Sequence, residues 1–287
     1  MQDAVLSVDL GGTKLSLGYV LAGQVHNKRQ LSVPADFEKQ AFNDFLLGAI
    51  AELYQPNCKG IAIGVPSLVE MSQGRVIETT NILAWQDVPL AQLLTERFNC
   101  PVVVHNDANC FAAGEYFGGS FAKNTNLIGV CLGTGLGAGL MLEGRLYTGT
   151  HSAAGEFGSF PYQDSIIEHY CSGAFFKHRG LNGKEVYEAA VKGDSSALGV
   201  FEEFGKHMAH AISLVVLAFN PNVVVLGGSV SISFPLFIDS LHTTINKISH
   251  PTIVENLHIV ASNVSDAALK GAAFLFDLQW QNTEVSQ

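Results

Sequence analysis

The sequence predicts an α/β protein built from two similar halves, and a repeated pattern carries that prediction. The run Val8-Asp9-Leu10-Gly11-Gly12-Thr13-Lys14 stands between the apolar stretches Ala4–Leu10 and Leu15–Leu21. Near mid-chain, Val130-Cys131-Leu132-Gly133-Thr134-Gly135-Leu136-Gly137-Ala138-Gly139 stands between Leu127–Leu132 and Leu140–Leu142. Each second stretch breaks at a short turn, Ala22-Gly23-Gln24 or Glu143-Gly144-Arg145. The shared order is strand, glycine turn, strand, turn, strand, which marks an internal repeat. Glycine lets backbone N–H groups come close to phosphate oxygens where a Cβ would obstruct. One such turn alone reads as an ordinary hairpin. Two in matching context, the first carrying Asp-x-Gly-Gly-Thr, point to a nucleotide enzyme.

Two other phosphate-binding patterns fail on context. Gly133-Thr134-Gly135 with Ala138 fits the looser dinucleotide form G-x-G-x-x-A, but that fingerprint must open a helix. Here the turn runs into Gly139-Leu140-Met141-Leu142, which reads as a strand. No G-x-x-x-x-G-K-[ST] loop is present.

With 287 residues, 47% of them hydrophobic and 15% charged, the chain has the make-up of a well-packed enzyme of two ordinary domains. A formal charge of −10 argues against a nucleic-acid partner, which calls for basic surfaces. It leaves room for a phosphate ligand held by backbone amides and a metal ion. No apolar run approaches the roughly 20 residues of a membrane helix, and a strand begins at once, so a cytoplasmic protein without a membrane partner is expected. Cys58, Cys100, Cys110, Cys131 and Cys171 are scattered without a C-x-x-C pair, so reduced thiols are expected in place of zinc or disulfides. The ten histidines show no H-x-x-x-H or H-E-x-x-H clustering.

Along the chain, Asp36–Tyr54 places Phe37, Ala41, Phe45, Leu46, Ile50 and Leu53 at helical spacing. Gly60–Val65 and Pro101–Val104 read as short buried strands. The second delivers His105-Asn106-Asp107-Ala108-Asn109 to its C-terminal end, just before a helical stretch from Cys110 to Phe117. Ligands of open α/β sheets bind beyond the C-terminal ends of strands. Asp107 therefore reads equally as a catalytic base or as a helix-capping aspartate. Strands near 127–149 lead to a loop at His151–Gly158 and a helix around Ile166–Phe176. A long helix follows over Ala197–Phe219, ending at Asn220-Pro221. Asn222–Leu226 is a strand closed by Gly227-Gly228-Ser229-Val230, and helices around Phe234–Ile248 and Ala267–Gln279 flank a last strand, Leu257–Val260.

Asp-x-Gly-Gly-Thr, Asn106-Asp107, Gly133-Thr134-Gly135, Ala154-Gly155-Glu156 and Asn220-Pro221…Leu226-Gly227-Gly228 together resemble the ROK group of sugar kinases and repressors. That group belongs to the actin/hexokinase/Hsp70 ATPase superfamily, and the resemblance runs in order over essentially the whole chain. It implies an actin-like ATPase (ribonuclease H-like) fold, two similar α/β domains around a central cleft. The halves are then 1–108 and 109–272, with a C-terminal helix at about 273–287 packing back on the first.

The implied activity is ATP-dependent phosphorylation of a hexose, glucose being the first expectation, at the C6 hydroxyl, with Mg²⁺. Phosphoryl transfer needs in-line placement, charge neutralisation and a base for the incoming hydroxyl. The resemblance gives the base role to Asp107. It places Gly11, Gly12, Thr13, Gly133, Thr134 and Gly135 at the phosphates and Gly227 and Gly228 at the nucleotide, with Asp9 orienting Mg²⁺ or its waters. For Lys14, contact with the phosphates and plain solvation both remain open. Asn81, Asn106, Asp107, Glu156 and Glu168 are assigned to the sugar, whose ring of hydroxyls calls for carboxylates and amides. A homodimer is the implied assembly.

The chain departs from the group just after Glu156. The usual His three residues on is Ser159 here, and the cysteine-rich zinc knuckle that follows is missing. No zinc is expected, and Phe157, Phe160 and Tyr162, with Pro161 stiffening the loop, are the expected replacement. This bears on which sugar is taken. A kinase for an N-acetylhexosamine or another hexose is one alternative, and a non-catalytic sugar sensor another. The group's repressors carry a DNA-binding segment before the kinase-like part, for which Asp9 leaves no room. A chaperone-like ATPase would leave the sugar-facing residues unexplained.

Overall fold

The computed structural model describes residues 3–34, 38–79, 82, 85–122, 124–150, 152–247 and 250–284, with side chains through residue 280. The chain divides into two compact units. The first comprises Met1–Phe121, Leu146–Ala154 and Val264–Gln287, the second Ala122–Arg145 and Gly155–Asn263.

The first unit opens with β1 (Val5–Leu10), β2 (Lys14–Leu21), β3 (Gln24–Ser32), α1 (Lys39–Ala51) and β4 (Gly60–Val65). A hairpin of β5 (Ser67–Glu70) and β6 (Arg75–Thr79) follows, then α2 (Leu90–Phe98), β7 (Val102–Asn106) and α3 (Asp107–Gly118). Its sheet runs β3-β2-β1-β4-β7, antiparallel from β3 to β1 and parallel from β1 through β4 to β7. Strands alternate their side chains between faces. Leu6, Val8, Leu10, Ile61, Ile63, Val65 and Val104 join one core with Phe42, Leu46, Ile50, Trp85 and Leu94.

The second unit holds β8 (Leu127–Leu132), β9 (Leu136–Leu142), the first residue of β10 (Arg145–Tyr147), β11 (Pro161–Tyr162) and β12 (Ser165–Ile166). Then come α4 (Ile167–Cys171), α5 (Gly173–His178), α6 (Gly183–Val191), α7 (Ser195–Phe219), β13 (Val223–Gly227), α8 (Phe234–Ile245), α9 (Pro251–Glu255) and β14 (His258–Ala261). Its sheet order, β10-β9-β8-β13-β14, is the counterpart of the first, with β8–β9 antiparallel and β8–β13–β14 parallel. The repeat in the sequence is thus a repeat of topology. Phe175, Phe201, Phe204 and Phe237 fill the core against α7 and α8.

Helix α10 (Ala267–Glu284) belongs to the first unit, where it packs on α3, β1 and β4. α3 and α10 meet backbone to backbone. A Cβ on Gly114 would lie 1.8 Å from the Ala267 carbonyl oxygen, and one on Gly271 1.7 Å from that of Cys110. This contact carries α3 with the first unit, so the division falls after Phe121 where the sequence suggested 108. The chain likewise returns at Val264, earlier than the expected 273.

Several boundaries differ from the sequence expectation. The helix expected at 36–54 is confined to Lys39–Ala51 among the described residues, and Phe37 lies outside them. The helix expected from Cys110 starts at Asp107, because the Asn106 side chain accepts the Asn109 amide and caps it. The helix expected over 166–176 is two, broken at Ser172, whose extended backbone starts a second turn and whose Oγ accepts the Ala174 amide.

Candidate functional site

In the first unit the parallel strands end together. Asp9 of β1 pairs in register with Gly64 of β4, and Gly64 with His105 of β7, so three residues form a row on one sheet face. A strand spacing near 4.8 Å puts Asp9 and His105 about 10 Å apart with only a hydrogen between them at Gly64. Cys110 of α3 lies over that gap. A Cβ on Gly64 would be 3.1 Å from the Cys110 Sγ and 3.4 Å from the Cα of Asp107. The buried thiol is pushed well above the usual cysteine range by burial, then by the charges of Asp9 and Asp107. Asp9 and Asp107 are thus brought into one neighbourhood.

Asp107 is the first helical residue of α3, not its cap. Its Oδ1 accepts the Ala108 amide at 2.8 Å, while the Asn106 Oδ1 accepts the Asn109 amide at 3.1 Å and the Asn106 Nδ2 donates to the Ser67 carbonyl at 3.3 Å. A helix N-terminus favours the ionised carboxylate, the form a base requires. The capping role left open by the sequence therefore falls to Asn106.

Asp9 carries a different electrostatic load. Burial, and then the nearby Asp266, push its carboxyl up to about 6, with Lys28 acting against them. Lys28 is itself held on Asp266 at 2.5 Å. In the adjoining turn the Gly11 amide donates to the Lys14 carbonyl at 2.8 Å. Lys14 and Thr13 are exposed. Among the described residues, the amides of Gly12 and Thr13 meet no protein acceptor.

The second unit builds a matching turn. The Gly133 amide closes it on the Gly135 carbonyl at 3.0 Å, and the amides of Thr134 and Gly135 meet no acceptor among the described residues. The turn is clamped from α4 and α5. Glu168 Oε2 accepts the Leu136 amide at 2.9 Å, the Ser172 hydroxyl shares its one proton between the Glu168 carbonyl at 2.7 Å and the Thr134 carbonyl at 3.1 Å, and the Gly173 amide donates to the Gly133 carbonyl at 2.8 Å. A Cβ on Gly133 would enter open space, whereas one on Gly135 would lie 2.4 Å from Glu168 Oε2. Gly227 pairs with Cys131, so Gly227-Gly228 ends at the same sheet edge as this turn. Glu156 reaches solvent, yet the protein around it and then the Glu168 charge raise its carboxyl pKa. The two glutamates are neighbours.

Ser159 ends a single 3-10 turn, Phe157–Ser159, and is exposed. Phe157 packs edge-on against Phe160 and Phe219, each with ring centroids 5.8 Å apart. The Tyr162 hydroxyl is 3.0 Å from His207 Nδ1 and its ring stacks on His210 at 4.4 Å. The aromatic packing expected here thus draws on α7 as well. Among the described residues no three His, Cys, Asp or Glu side chains are grouped to hold a metal ion. Asn81 lies outside the described residues.

Sequence reasoning passed over His105, Asn109 and Asp266. His105 is buried, and neither its ring nitrogens nor the side-chain Oδ1 and Nδ2 of Asn109 have a partner among the described residues. Burial lowers the His105 pKa to about 4. The signal for these two was their place beside Asn106-Asp107. Asp266 carried none, being 257 positions from Asp9.

Two sheets of matching order, each opening on a glycine turn, are those of the actin-like ATPase fold. The ROK family model matches residues 5–279, and the chain belongs to that family. It is 30% identical over 298 residues to an N-acetyl-D-glucosamine kinase of Escherichia coli (strain K12), covering 93% of this chain and 97% of that protein. It is also 30% identical over 240 residues to a xylose repressor of Caldicellulosiruptor bescii, covering 73% of this chain but only 60% of the repressor's length. A ROK family glucokinase from Streptomyces griseus, solved with glucose and AMPPNP, superposes with a TM-score of 0.83 at 26% identity over 95% of this chain and 98% of that one. No described helix is long and apolar enough to cross a membrane.

Proposed function

We propose that the protein is an ATP-dependent hexose kinase that phosphorylates a primary hydroxyl, glucose at C6 being the first candidate, as a cytoplasmic homodimer. The observation that carries this reading is the half-buried Asp107 carboxylate at the start of α3, held beside Asn106 at the sheet's C-terminal edge. In this mechanism Asp107 takes the proton of the sugar hydroxyl as its oxygen attacks the γ-phosphorus in line. The bond from that phosphorus to the bridging β,γ-oxygen breaks, and ADP leaves. Asn106, Glu156 and Glu168 bind sugar hydroxyls, with Asn81 as a further contact. The amides of Gly12, Thr13, Thr134 and Gly135, which meet no acceptor among the described residues, suit phosphate oxygens, and glycine at 11 and 133 keeps the approach open.

The donor set fits Mg²⁺, which is bound through one or two carboxylates plus phosphates and keeps much of its water. Asp9, whose charge is poorly compensated by its surroundings, would hold the ion or its waters. Bound there, the ion would neutralise charge on the transferring phosphate. Gly227 and Gly228 would border the nucleotide. No zinc is required by this reading.

The test is ADP release by the purified protein over a panel of hexoses, N-acetylhexosamines and glycosides. General-base loss in Asp107→Asn should cost about 10² to 10⁴ in turnover while sugar binding persists. Turnover near that of the unsubstituted protein would reject Asp107 as the base. The likeness to a xylose repressor favours one other reading, a non-catalytic sugar sensor. Tight sugar binding with no ADP release on any sugar would select it.

A further inference from the structure

The connection between Glu156 and Glu168 is held asymmetrically. Glu168 is fixed to the glycine turn through the Leu136 amide, and its own carbonyl is held by Ser172 Oγ at 2.7 Å. Glu156 has no protein partner for its carboxylate among the described residues. Its place relative to Glu168 is set by the seat of residues 155–158 on β9, where a Cβ on Gly155 would lie 2.0 Å from the Ala138 carbonyl oxygen and one on Gly158 2.7 Å from that of Leu136, and by the path of the chain from there to Glu168. That path is a tight hairpin. Pro161 and Tyr162 pair with Ile166 and Ser165, and the Ile167 amide donates to the Phe160 carbonyl at 2.9 Å.

The hairpin is anchored to α7 at Tyr162. Its ring lies on His210, and its hydroxyl is 3.0 Å from His207 Nδ1. His207 Nε2 lies 3.5 Å from Glu203 Oε1, an oxygen that also accepts from Arg179, and makes no hydrogen bond among the described residues; with the ring proton on Nε2, Nδ1 accepts from the tyrosine hydroxyl. We propose that Tyr162 and His207 form a positioning pair which sets Glu156 against the fixed Glu168 and so selects among sugars. The inference rests on the reading that these two glutamates bind the sugar. It gives the segment that lacks the zinc knuckle a function in specificity.

The test is calorimetric sugar binding, without nucleotide, for glucose, N-acetylglucosamine and fructose, alongside the KM for ATP. Tyr162→Phe keeps the ring on His210 and removes only the hydroxyl. His207→Leu removes the acceptor, and His207→Asn restores an acceptor near Nδ1. Tyr162→Phe and His207→Leu should each weaken the best sugar about three- to tenfold, as for one net hydrogen bond. The ranking of the three sugars should change, and the ATP KM should stay within about twofold. The double variant should be no worse than the weaker single one, and His207→Asn should recover most of the affinity. Equal losses for all sugars, additive losses in the double variant, or His207→Asn no better than His207→Leu would each overturn the pairing. Absence of any sugar binding by the unsubstituted protein would instead overturn the sugar-site reading, and this inference with it.

Discussion

Gly135→Ala separates two reasons for a glycine in the second turn. From the sequence, glycine there serves phosphate approach. In the structure, the added Cβ would lie 2.4 Å from Glu168 Oε2 and 3.0 Å from its Cδ. The glutamate is the flexible partner, so it must swing away and release the Leu136 amide, which it now holds at 2.9 Å. A hydrogen bond to a charged group contributes roughly 1.5–3 kcal/mol, and partial exposure places this one near the lower figure. At about 2–4 °C per kcal/mol, the melting temperature should fall by roughly 3–6 °C. The same loss, if felt in the transition state, is a drop of about tenfold in kcat/KM for the sugar. The decisive measurement is a cycle with Glu168→Ala, by thermal unfolding and by coupled ADP release. Once Glu168 is truncated, Gly135→Ala should be nearly silent in both. An undiminished effect in that background would refute the clash with Glu168 and return Gly135 to a direct phosphate role.

Asp9→Asn should stabilise the protein while removing activity. Its folded carboxyl titrates near 6 instead of 3.8, so between those values the unfolded chain releases a proton that the folded protein keeps. Stability therefore falls as pH rises through that window and stays lower at pH 7. Discounted for partial exposure, the gain in Asp9→Asn should be about 1–2 kcal/mol at pH 7, vanishing near pH 4. An equal gain at both pH values would contradict the linkage. His105 acts in the opposite sense, since its pKa falls from 6.5 to about 4. Below pH 6.5 the unfolded chain binds a proton that the folded protein refuses, so acidification toward pH 4 should cost on the order of 3 kcal/mol. That loss should be missing from the pH–stability curve of His105→Leu. Gly114→Ala should destabilise by about 3 kcal/mol or more, because its Cβ meets the Ala267 backbone oxygen at 1.8 Å. Gly48→Ala, on an exposed position of α1 with open space around it, should be neutral or stabilise by up to about 1 kcal/mol.

The features legible in the sequence were those written locally. Both glycine turns, the strands beside them and the strand that delivers Asn106-Asp107 follow from apolar runs bounded by glycine and proline. The β5–β6 hairpin was missed because its strands are short and mix polar with apolar residues, and α2 was missed although Leu90, Leu94 and Phe98 stand at helical spacing. Their Val69, Val76, Leu90 and Leu94 are buried in the same core as Trp85, which packs on Phe42 and donates to Asn43. At the candidate site, residue types were readable and their division of labour was not. Asp107 and Asn106 are adjacent in the chain, and only the backbone at position 106 decides which one caps the helix. The bond from Leu136 to Glu168 joins residues 32 apart, and Asp266 reaches Asp9 through the packing of α10. Such pairings arise from tertiary contact, which no local spacing encodes.

The return of α10 to the first unit sets an order on biosynthesis. When residue 121 has been made, the face of β1, β4 and α3 that receives α10 has nothing to cover it. Its cover begins at Val264, 143 residues later. At roughly 5–20 residues per second, that interval is on the order of 7–29 s on the ribosome. During it Gly114 and the Cys110 carbonyl await the Ala267 and Gly271 that pack on them in the finished fold. The second unit, by contrast, is complete once Asn263 has emerged. The first half of the chain to be synthesised is therefore the last to finish folding.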